Sequence, residues 1–138
     1  MKSLLIDDVA VGDELPPLVL PLTRTFIVAA AIATRDYQDV HHDPSIAQAK
    51  GSQDIIMNIL TTNGLIGRYV TDWAGPNATI KKVAIRLGAP NYPGDTMTLT
   101  GTVSSKDGAE VAVTVIGVNS LGNHVTGTVV VLLPEGGA

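Results

Sequence analysis

The spacing of apolar residues changes partway along the chain, from a helical period to a strand period. Between Asp54 and Trp73, apolar residues recur every three or four positions, which predicts one long helix with a buried stripe. From Ile80 onward the period falls to two, as in strands that bury one face. The stripe of the predicted helix consists of Ile55, Ile56, Ile59, Leu60, Ile66, Val70 and Trp73.

Two glycines, Gly64 and Gly67, lie inside this predicted helix. Glycine in a helix interior costs up to about 1 kcal/mol relative to alanine, because it loses more backbone freedom when the chain folds. We therefore expect another element, such as a sheet, to pack very close to the backbone of the helix at these two positions.

The second half of the chain is expected to form a sheet. Thr96 to Ser104 alternates threonines with mostly apolar residues, so that one face is suited to burial. Turn residues at Asp107-Gly108 and at Leu121-Gly122-Asn123 are typical of hairpin connections, which predicts a meander for the last three strands. The predicted strands are Ile80–Leu87, Thr96–Ser104, Val111–Val118 and His124–Leu133.

The first half is expected to contain shorter elements. A strand is predicted over Leu18–Phe26, with Pro21 indicating an edge position, and a short helix over Ile27–Thr34. A further helical turn or two is predicted over Pro44–Lys50, with Asp43 as the N-cap and proline at the first helical position.

These elements predict an α+β fold, in which an antiparallel sheet wraps one long helix. At 138 residues the chain is long enough to bury a substantial core, and no linker or internal repeat divides it, so residues 1–138 are expected to form one domain. Hydrophobic residues make up 45% of the chain and charged residues only 16%, which favours a fully covered sheet or a large subunit interface.

Charge and composition exclude several classes of function. The net charge of −4, without a basic stripe, argues against nucleic-acid and anionic-membrane partners. The absence of cysteine excludes disulfides, thiolate nucleophiles and cysteine-ligated zinc. The apolar stretch at the N-terminus is too short for a signal peptide, and no run approaches the roughly 18 apolar residues of a spanning helix, so a cytoplasmic protein is expected.

One short run, Thr34 to Asp43, carries the main candidate chemistry. It holds three carboxylates and two imidazoles within ten residues. Asp36 and His41 are five positions apart, so a helix would rotate them about 140° from each other and a strand would place them on opposite faces. Only a bent loop lets the two side chains converge. A carboxylate and an imidazole that converge on one water molecule form a general acid–base pair.

The polar residues also have structural interpretations. Asp36 can be a loop carboxylate paired with Arg35. Asp39 and Arg35 can be surface charges or charges that pair across a subunit boundary. His42 is expected to face solvent or a partner, and His124, which lies in a strand pattern, is expected to be structural.

The run resembles the hydratase motif of the MaoC-like (R)-specific enoyl-CoA hydratases, Gly-Asp-x-Asn-Pro-(Leu/Ile)-His-x-Asp-x-x-x-Ala. The matching positions are Asp36, Val40, His41, Asp43 and Ala47, and the departures are Arg35, Gln38 and Asp39. A second similarity runs from Ile85-Arg86-Leu87 to Pro93-Gly94-Asp95-Thr96. The resemblance extends from about Gly12 to Leu133 and implies the hot-dog fold, a curved antiparallel sheet around one long central helix.

The resemblance also implies roles for individual residues. It assigns catalysis to Asp36 and His41, and it gives Gln38 and Asp43 supporting positions in the motif. Where the family has His-Gly, whose glycine N–H binds the thioester oxygen, this chain has Met57-Asn58. The N–H of Asn58 is expected to donate instead, because helix N-termini present unpaired donors. Basic residues expected to meet the phosphates of coenzyme A are Lys50, Lys81, Lys82 and Arg86.

A narrower resemblance is to the small subunits of the steroid side-chain hydratases of cholesterol-degrading bacteria. It rests on Asp36 to Asp43, Asn58 to Thr61 and Arg68 to Pro76. In that family the small subunit carries the Asp/His pair and joins a larger MaoC-like subunit in an α2β2 heterotetramer. Its substrate is a 17(20)-unsaturated, 22-carbon steroid acyl-CoA, and a thiolase-like aldolase acts next. The resemblance implies a hydro-lyase whose substrate is a coenzyme A thioester, with no metal and no other cofactor.

Several alternatives stay open at the level of the sequence. Either Asp36 or His41 can be the base, with the other as the acid. An acyl-CoA thioesterase of the hot-dog class is a second activity. A non-catalytic acyl-CoA-binding subunit is a third possibility, because the family's Gly, Asn, Pro and His-Gly are lost. A homodimer is the alternative to a heteromer. Acyl-chain specificity also stays open, because the depth of the acyl tunnel depends on packing.

Overall fold

Five antiparallel strands form one curved sheet in the structure, a computed structural model that describes residues 2–136. The strands are β1 (Glu14–Pro21), β2 (Thr79–Leu87), β3 (Thr96–Asp107), β4 (Glu110–Asn119) and β5 (Gly122–Leu132). Their spatial order is β1-β3-β4-β5-β2, so β1 and β2 are the two edges. The last three strands pair in sequence, which confirms the predicted meander.

Within residues 2–136, three α-helices accompany the sheet: α1 (Arg24–Ala33), α2 (Pro44–Ala49) and α3 (Ile59–Ala74). Helix α3 packs against the sheet, and its buried residues join those of the strands in one hydrophobic core. Alternate residues of β3 and β4 point into this core, as the period of two requires. A sheet wrapped around one long helix confirms the predicted hot-dog fold. No helix within the described residues is long and apolar enough to cross a membrane.

The first strand and the first helix begin earlier than predicted. Strand β1 replaces the predicted strand over Leu18–Phe26, and α1 replaces the predicted helix over Ile27–Thr34. The side-chain oxygen of Thr23 accepts a hydrogen bond from the backbone N–H of Phe26 at 3.0 Å, so an N-cap starts α1 within the predicted strand. The proline at the end of β1 does lie on a sheet edge, as predicted.

The long helix begins later than predicted. The segment from Asp54 to Asn58 forms neither helix nor strand, and α3 starts only at Ile59. Two backbone hydrogen bonds hold this segment against neighbouring loops, from the N–H of Ile56 to Val40 at 3.0 Å and from the N–H of Met57 to Asn91 at 3.1 Å. We call residues 54–58 the pre-helix segment.

The late start of α3 also changes which residues are buried. Ile59 and Leu60, predicted in the buried stripe, are 53% and 48% exposed, and the buried face begins instead with Thr61 and Thr62. A helix that starts at Ile59 turns these two side chains outward in its first turn. The hydrophobic period alone could not reveal this, because it does not fix where a helix begins.

The close packing expected at the two helical glycines is absent. A Cβ atom placed at Gly64 meets no atom within 4 Å, and one placed at Gly67 makes only ordinary contact with Ile80 at 3.5 Å. The prediction of a tightly approaching sheet is therefore wrong at both positions. Close approaches occur at glycines outside α3, as at Gly117 in β4, where a Cβ would lie 2.7 Å from Val125.

Candidate active site

The C-terminal end of α1 positions Asp36. Arg35 adopts a left-handed backbone conformation, with φ of +58°, and this ends the helix. The N–H of Arg35 donates to the carbonyl oxygen of Ile32, and the N–H of Asp36 donates to that of Ala31, both at 2.9 Å. These two bonds satisfy carbonyl groups that the end of a helix leaves free. The sharp turn they form holds the backbone of Asp36 against the helix end.

A single turn of 3₁₀ helix, Asp39–His41, brings His41 back toward Asp36. The imidazole of His41 is held by the pre-helix segment, since its Nδ1 atom lies 2.7 Å from the carbonyl oxygen of Ile56. A carbonyl oxygen only accepts hydrogen bonds, so Nδ1 carries a hydrogen and donates. The other ring nitrogen, Nε2, is then left to face the carboxylate.

The bent loop brings Asp36 and His41 together, as their spacing predicted. The Oδ2 atom of Asp36 lies 3.2 Å from the Nε2 atom of His41. Their side chains are 18% and 9% exposed, so the pair is largely shielded but still open to solvent. The alternative ion pair between Asp36 and Arg35 is not formed among residues 2–136.

The side chain of Asn58 is a third member of this group that the sequence analysis missed. Its Nδ2 atom donates to Asp36 Oδ2 at 3.1 Å and to Thr34 Oγ1 at 2.9 Å. Its Oδ1 atom accepts from the backbone N–H of Thr61 at 3.1 Å, which makes Asn58 the N-cap of α3. A signal was available, because asparagine is among the preferred N-cap residues, but the pattern of apolar residues favoured an earlier helix start.

These contacts favour the ionised form of Asp36. The hydrogen bond from the amide of Asn58 has the largest influence and lowers the pKa of Asp36 below its ordinary value. Partial burial of the carboxyl opposes this effect, whereas the N–H of Gln38 and the charge of His41 add to it. A carboxylate that accepts hydrogen bonds in its charged form holds its proton less tightly.

The backbone N–H of Asn58 was predicted to bind the thioester oxygen. Within residues 2–136 this N–H has no hydrogen-bond partner. It immediately precedes α3, at the positive end of the helix dipole, where developing negative charge is stabilised. The geometry is compatible with the predicted role, which stays a prediction.

Gln38 and Asp43 support the loop through its backbone. The backbone N–H of Gln38, not its side chain, donates to Asp36 Oδ1 at 3.3 Å. The carboxylate of Asp43 accepts from the N–H groups of Ser45 and Ile46 at 2.9 and 3.2 Å, as predicted for the N-cap of α2. Gln38 therefore supports the loop between Asp36 and His41, and Asp43 supports it just after His41.

The remaining histidines lie apart from the pair. His42 and Asp39 form an exposed contact of 3.6 Å. His124 is buried, with Nδ1 2.7 Å from the carbonyl oxygen of Ala89 and Nε2 2.8 Å from Thr62 Oγ1. Burial lowers the pKa of His124 and keeps its ring neutral, which agrees with the structural role expected for it.

The four basic residues predicted to bind coenzyme A lie in two places. Lys50 follows the end of α2, whereas Lys81, Lys82 and Arg86 lie on the edge strand β2. All four are exposed, and none forms an ion pair with another described residue. Their contact with a phosphate stays a prediction.

Exposed apolar side chains directly follow Asp36 and Asn58 in the chain. Tyr37, which directly follows Asp36, is 67% exposed, and Ile59 and Leu60, which directly follow Asn58, are about half exposed. Large apolar side chains left exposed close to a candidate site in the chain are typical of positions that a ligand or another subunit covers.

Comparison with known proteins yields one family and several close relatives. The family model described as MaoC-like domain matches residues 10–124. A protein of Mycobacterium tuberculosis, the 3-oxo-4,17-pregnadiene-20-carboxyl-CoA hydratase beta subunit, is 56% identical over 119 residues, which cover 86% of this chain and 92% of the relative.

Solved structures agree with this assignment. A chain of the ChsH1-ChsH2 complex of Mycobacterium tuberculosis has 53% identity and a TM-score of 0.89, covering 90% of this chain and 98% of that one. The unliganded R-hydratase PhaJ1 of Pseudomonas aeruginosa, at 19% identity, shares the fold with a TM-score of 0.88 over 97% of this chain and 88% of its own. Because the family model and the relative at 56% identity both span most of its length, this chain belongs to the MaoC-like domain family.

Proposed function

We propose that this chain is the catalytic subunit of an enoyl-CoA hydratase, a hydro-lyase that adds water across the 2,3 double bond of an acyl-CoA thioester. The observation that carries the proposal is the 3.2 Å contact between Asp36 Oδ2 and His41 Nε2, beside the N-terminus of α3. The relative at 56% identity is named as a hydratase subunit, which supports the same class of activity for this chain.

Hydration needs a group that removes a proton from water and a group that protonates the α-carbon. Asp36 is the base, because its contacts favour the carboxylate. His41 is the acid and acts as an imidazolium: one hydrogen, on Nδ1, is held by Ile56, and the second, on Nε2, faces the carboxylate and is the one delivered. The water oxygen bonds to the β-carbon while its proton moves to Asp36, and the Nε2 proton moves to the α-carbon. The proton on Asp36 then crosses the 3.2 Å contact to His41 and restores both groups.

The thioester oxygen gathers enolate charge while water attacks. The N–H of Asn58 is the donor that we assign to this oxygen, since it has no other partner within residues 2–136 and lies at the positive end of α3. One such donor typically contributes about 10²–10³-fold, and a positioned acid or base about 10²–10⁴-fold.

The proposal also includes a substrate class and a partner subunit. The relative at 56% identity is named for a pregnadiene carboxyl-CoA, and the similar crystal structure is of a two-component complex. We assign to this chain a steroid side-chain enoyl-CoA substrate and a larger MaoC-like subunit in an α2β2 heterotetramer. The open edge of β2 and the exposed Tyr37, Ile59 and Leu60 support association or apolar ligand binding. A cytoplasmic location and an aldolase acting on the product remain part of this proposal.

Coexpression tests this function. The chain is produced with a larger MaoC-like subunit, and the purified complex is given steroid and straight-chain enoyl-CoAs. We expect loss of the conjugated double bond and gain of one water, with the steroid substrate preferred. Release of free thiol without hydration would indicate a thioesterase. Binding of the acyl-CoA without turnover would indicate a non-catalytic subunit.

A further inference from the structure

The amide of Asn58 connects three parts of the site. From the N-terminus of α3, it reaches Asp36 in the loop at 3.1 Å and Thr34 at the end of α1 at 2.9 Å. Asn58 is only 2% exposed. Both hydrogens of its NH₂ group are therefore used in a site from which water is largely excluded.

The orientation of this amide is determined by its partners. The backbone N–H of Thr61 can only donate, so the atom that faces it at 3.1 Å is the oxygen of Asn58. The Thr61 hydroxyl contacts the same oxygen. The hydroxyl of Thr34 donates to the carbonyl oxygens of Ala30 and Ala31, which leaves its oxygen free to accept. A flipped amide would set its oxygen against the carboxylate, so the NH₂ group must face Asp36.

We propose that Asn58 is a positioning residue for hydration, whose side chain keeps the Asp36 carboxylate ionised and turned toward His41. This inference rests on the proposed function and deepens it. It concerns the side chain of Asn58, whereas the oxyanion role concerns the backbone N–H, which every substitution at this position except proline retains.

The other groups around the carboxylate have smaller effects. His41 is the titratable side chain that faces Asp36, and the N–H of Gln38 contacts the other carboxylate oxygen. The neighbouring Arg35 is exposed and forms no ion pair with any described residue. The hydrogen bond from Asn58 is the largest influence that lowers the pKa of Asp36.

Two substitutions separate positioning from helix capping. Asn58→Ser and Asn58→Asp both keep a good N-cap for α3, so neither variant should lose activity through loss of the cap. Serine is too short to reach Asp36, and aspartate replaces the donor with a like charge, which raises the pKa of its neighbour. The matched controls are Asn63→Ser and Asn63→Asp, at an exposed position of the same helix.

The experiment measures hydration by the assembled complex as a function of pH, and the titration of the Asp36 carboxyl by carbon NMR. We expect kcat to fall at least about tenfold in Asn58→Ser and further in Asn58→Asp, with KM within about threefold. The acid limb of kcat and the Asp36 titration should both move to higher pH, while the Asn63 variants match the wild type.

An unchanged acid limb and an unchanged Asp36 titration in both Asn58 variants would overturn the inference. The two readouts also separate it from the proposed function. If the wild-type complex hydrates no enoyl-CoA, the proposed activity fails and so does the catalytic part of the inference. The NMR titration then still decides whether Asn58 controls the protonation of Asp36.

Discussion

The Nδ1 atom of His41 donates to the carbonyl oxygen of Ile56 at 2.7 Å, and this bond keeps a hydrogen on Nδ1 and fixes the direction of the ring. Ile56 belongs to the pre-helix segment, which ends in Asn58, and Asn58 holds Asp36 at 3.1 Å. Both members of the proposed catalytic pair are thus oriented from the pre-helix segment. The late start of α3 is therefore a condition for the geometry of the site.

Removing either member of the pair should abolish most of the activity without unfolding the protein. We expect Asp36→Asn and His41→Ala each to lower kcat at least about a hundredfold, because each removes one proton-transfer group. Steady-state hydration assays of the assembled complex and thermal unfolding curves check this. The loop is held mainly by backbone bonds, so unfolding temperatures should stay close to that of the wild type.

Asp39 and His42, a neighbouring pair of the same residue types, serve as the control. His42 and Asp39 lie 3.6 Å apart and are exposed, so His42→Ala and Asp39→Asn should leave kcat within about threefold. Loss of activity in these variants comparable to that in the Asp36 and His41 variants would contradict the assignment of the catalytic pair.

Glycine at position 35 should stabilise the protein. Arg35 has φ of +58°, a conformation that costs residues other than glycine about 1–2 kcal/mol. Part of this gain is offset by the larger entropy of glycine in the unfolded chain, so Arg35→Gly should raise the free energy of unfolding by about 0.5–1 kcal/mol. Urea unfolding measures the change.

Arg35→Ala provides the matched control for this prediction. It removes the same exposed side chain but keeps a Cβ atom and hence the backbone strain, so its stability should equal that of the wild type within about 0.5 kcal/mol. Equal stabilisation by alanine and glycine would show that the side chain, not the backbone conformation, is responsible. Activity should change little in either variant, because the N–H of Asp36 keeps its bond to Ala31.

The buried His124 should make stability depend on pH below neutrality. Burial lowers its pKa in the folded protein, so the unfolded state binds the proton first as the pH falls. Its contribution is fully present above the unfolded pKa of about 6.5 and is lost as the pH falls from there toward the folded pKa, by up to about 1.4 kcal/mol per pH unit. Urea unfolding between pH 8 and pH 5 should show this loss.

A second comparison isolates the contribution of His124. His124→Asn removes the titrating group, so the loss of stability between pH 8 and pH 5 should be smaller than in the wild type. His42→Ala removes an exposed histidine and should leave the wild-type slope unchanged. Equal slopes in all three proteins would show that His124 is not the group responsible.

The main features of the site follow from the sequence because few geometries are possible. The spacing of Asp36 and His41 excludes convergence on a regular helix or strand, and the cap at Asp43 limits where the loop ends. The amide of Asn58 was missed because its contacts join residues 22 and 24 positions apart. Such contacts depend on how α1 and α3 pack, which local patterns do not contain.

In the fold, too, features that local sequence patterns determine were predicted correctly, whereas features that tertiary contacts determine were not. The alternation of apolar and polar residues in β3 to β5 is a local pattern, and it predicted the meander correctly. The boundaries of β1, α1 and α3 depended instead on helix caps and on backbone bonds to other segments. The cap at Thr23 outweighed the strand pattern that precedes it. The segment with Ile55 and Ile56 fits a helical period, yet it is not helical, and backbone bonds to Val40 and Asn91 hold it in place.

The fate of labelled water distinguishes hydration of the double bond from hydrolysis of the thioester. The assembled complex is incubated with a steroid enoyl-CoA in heavy-oxygen water, and the acyl product is analysed by mass spectrometry with its thioester intact. If this chain catalyses hydration, the wild-type complex should yield an acyl-CoA product with one heavy oxygen on the β-carbon. The Asp36→Asn variant should not yield this labelled product. Label found only in a free carboxylate, with release of coenzyme A, would contradict the proposed hydration.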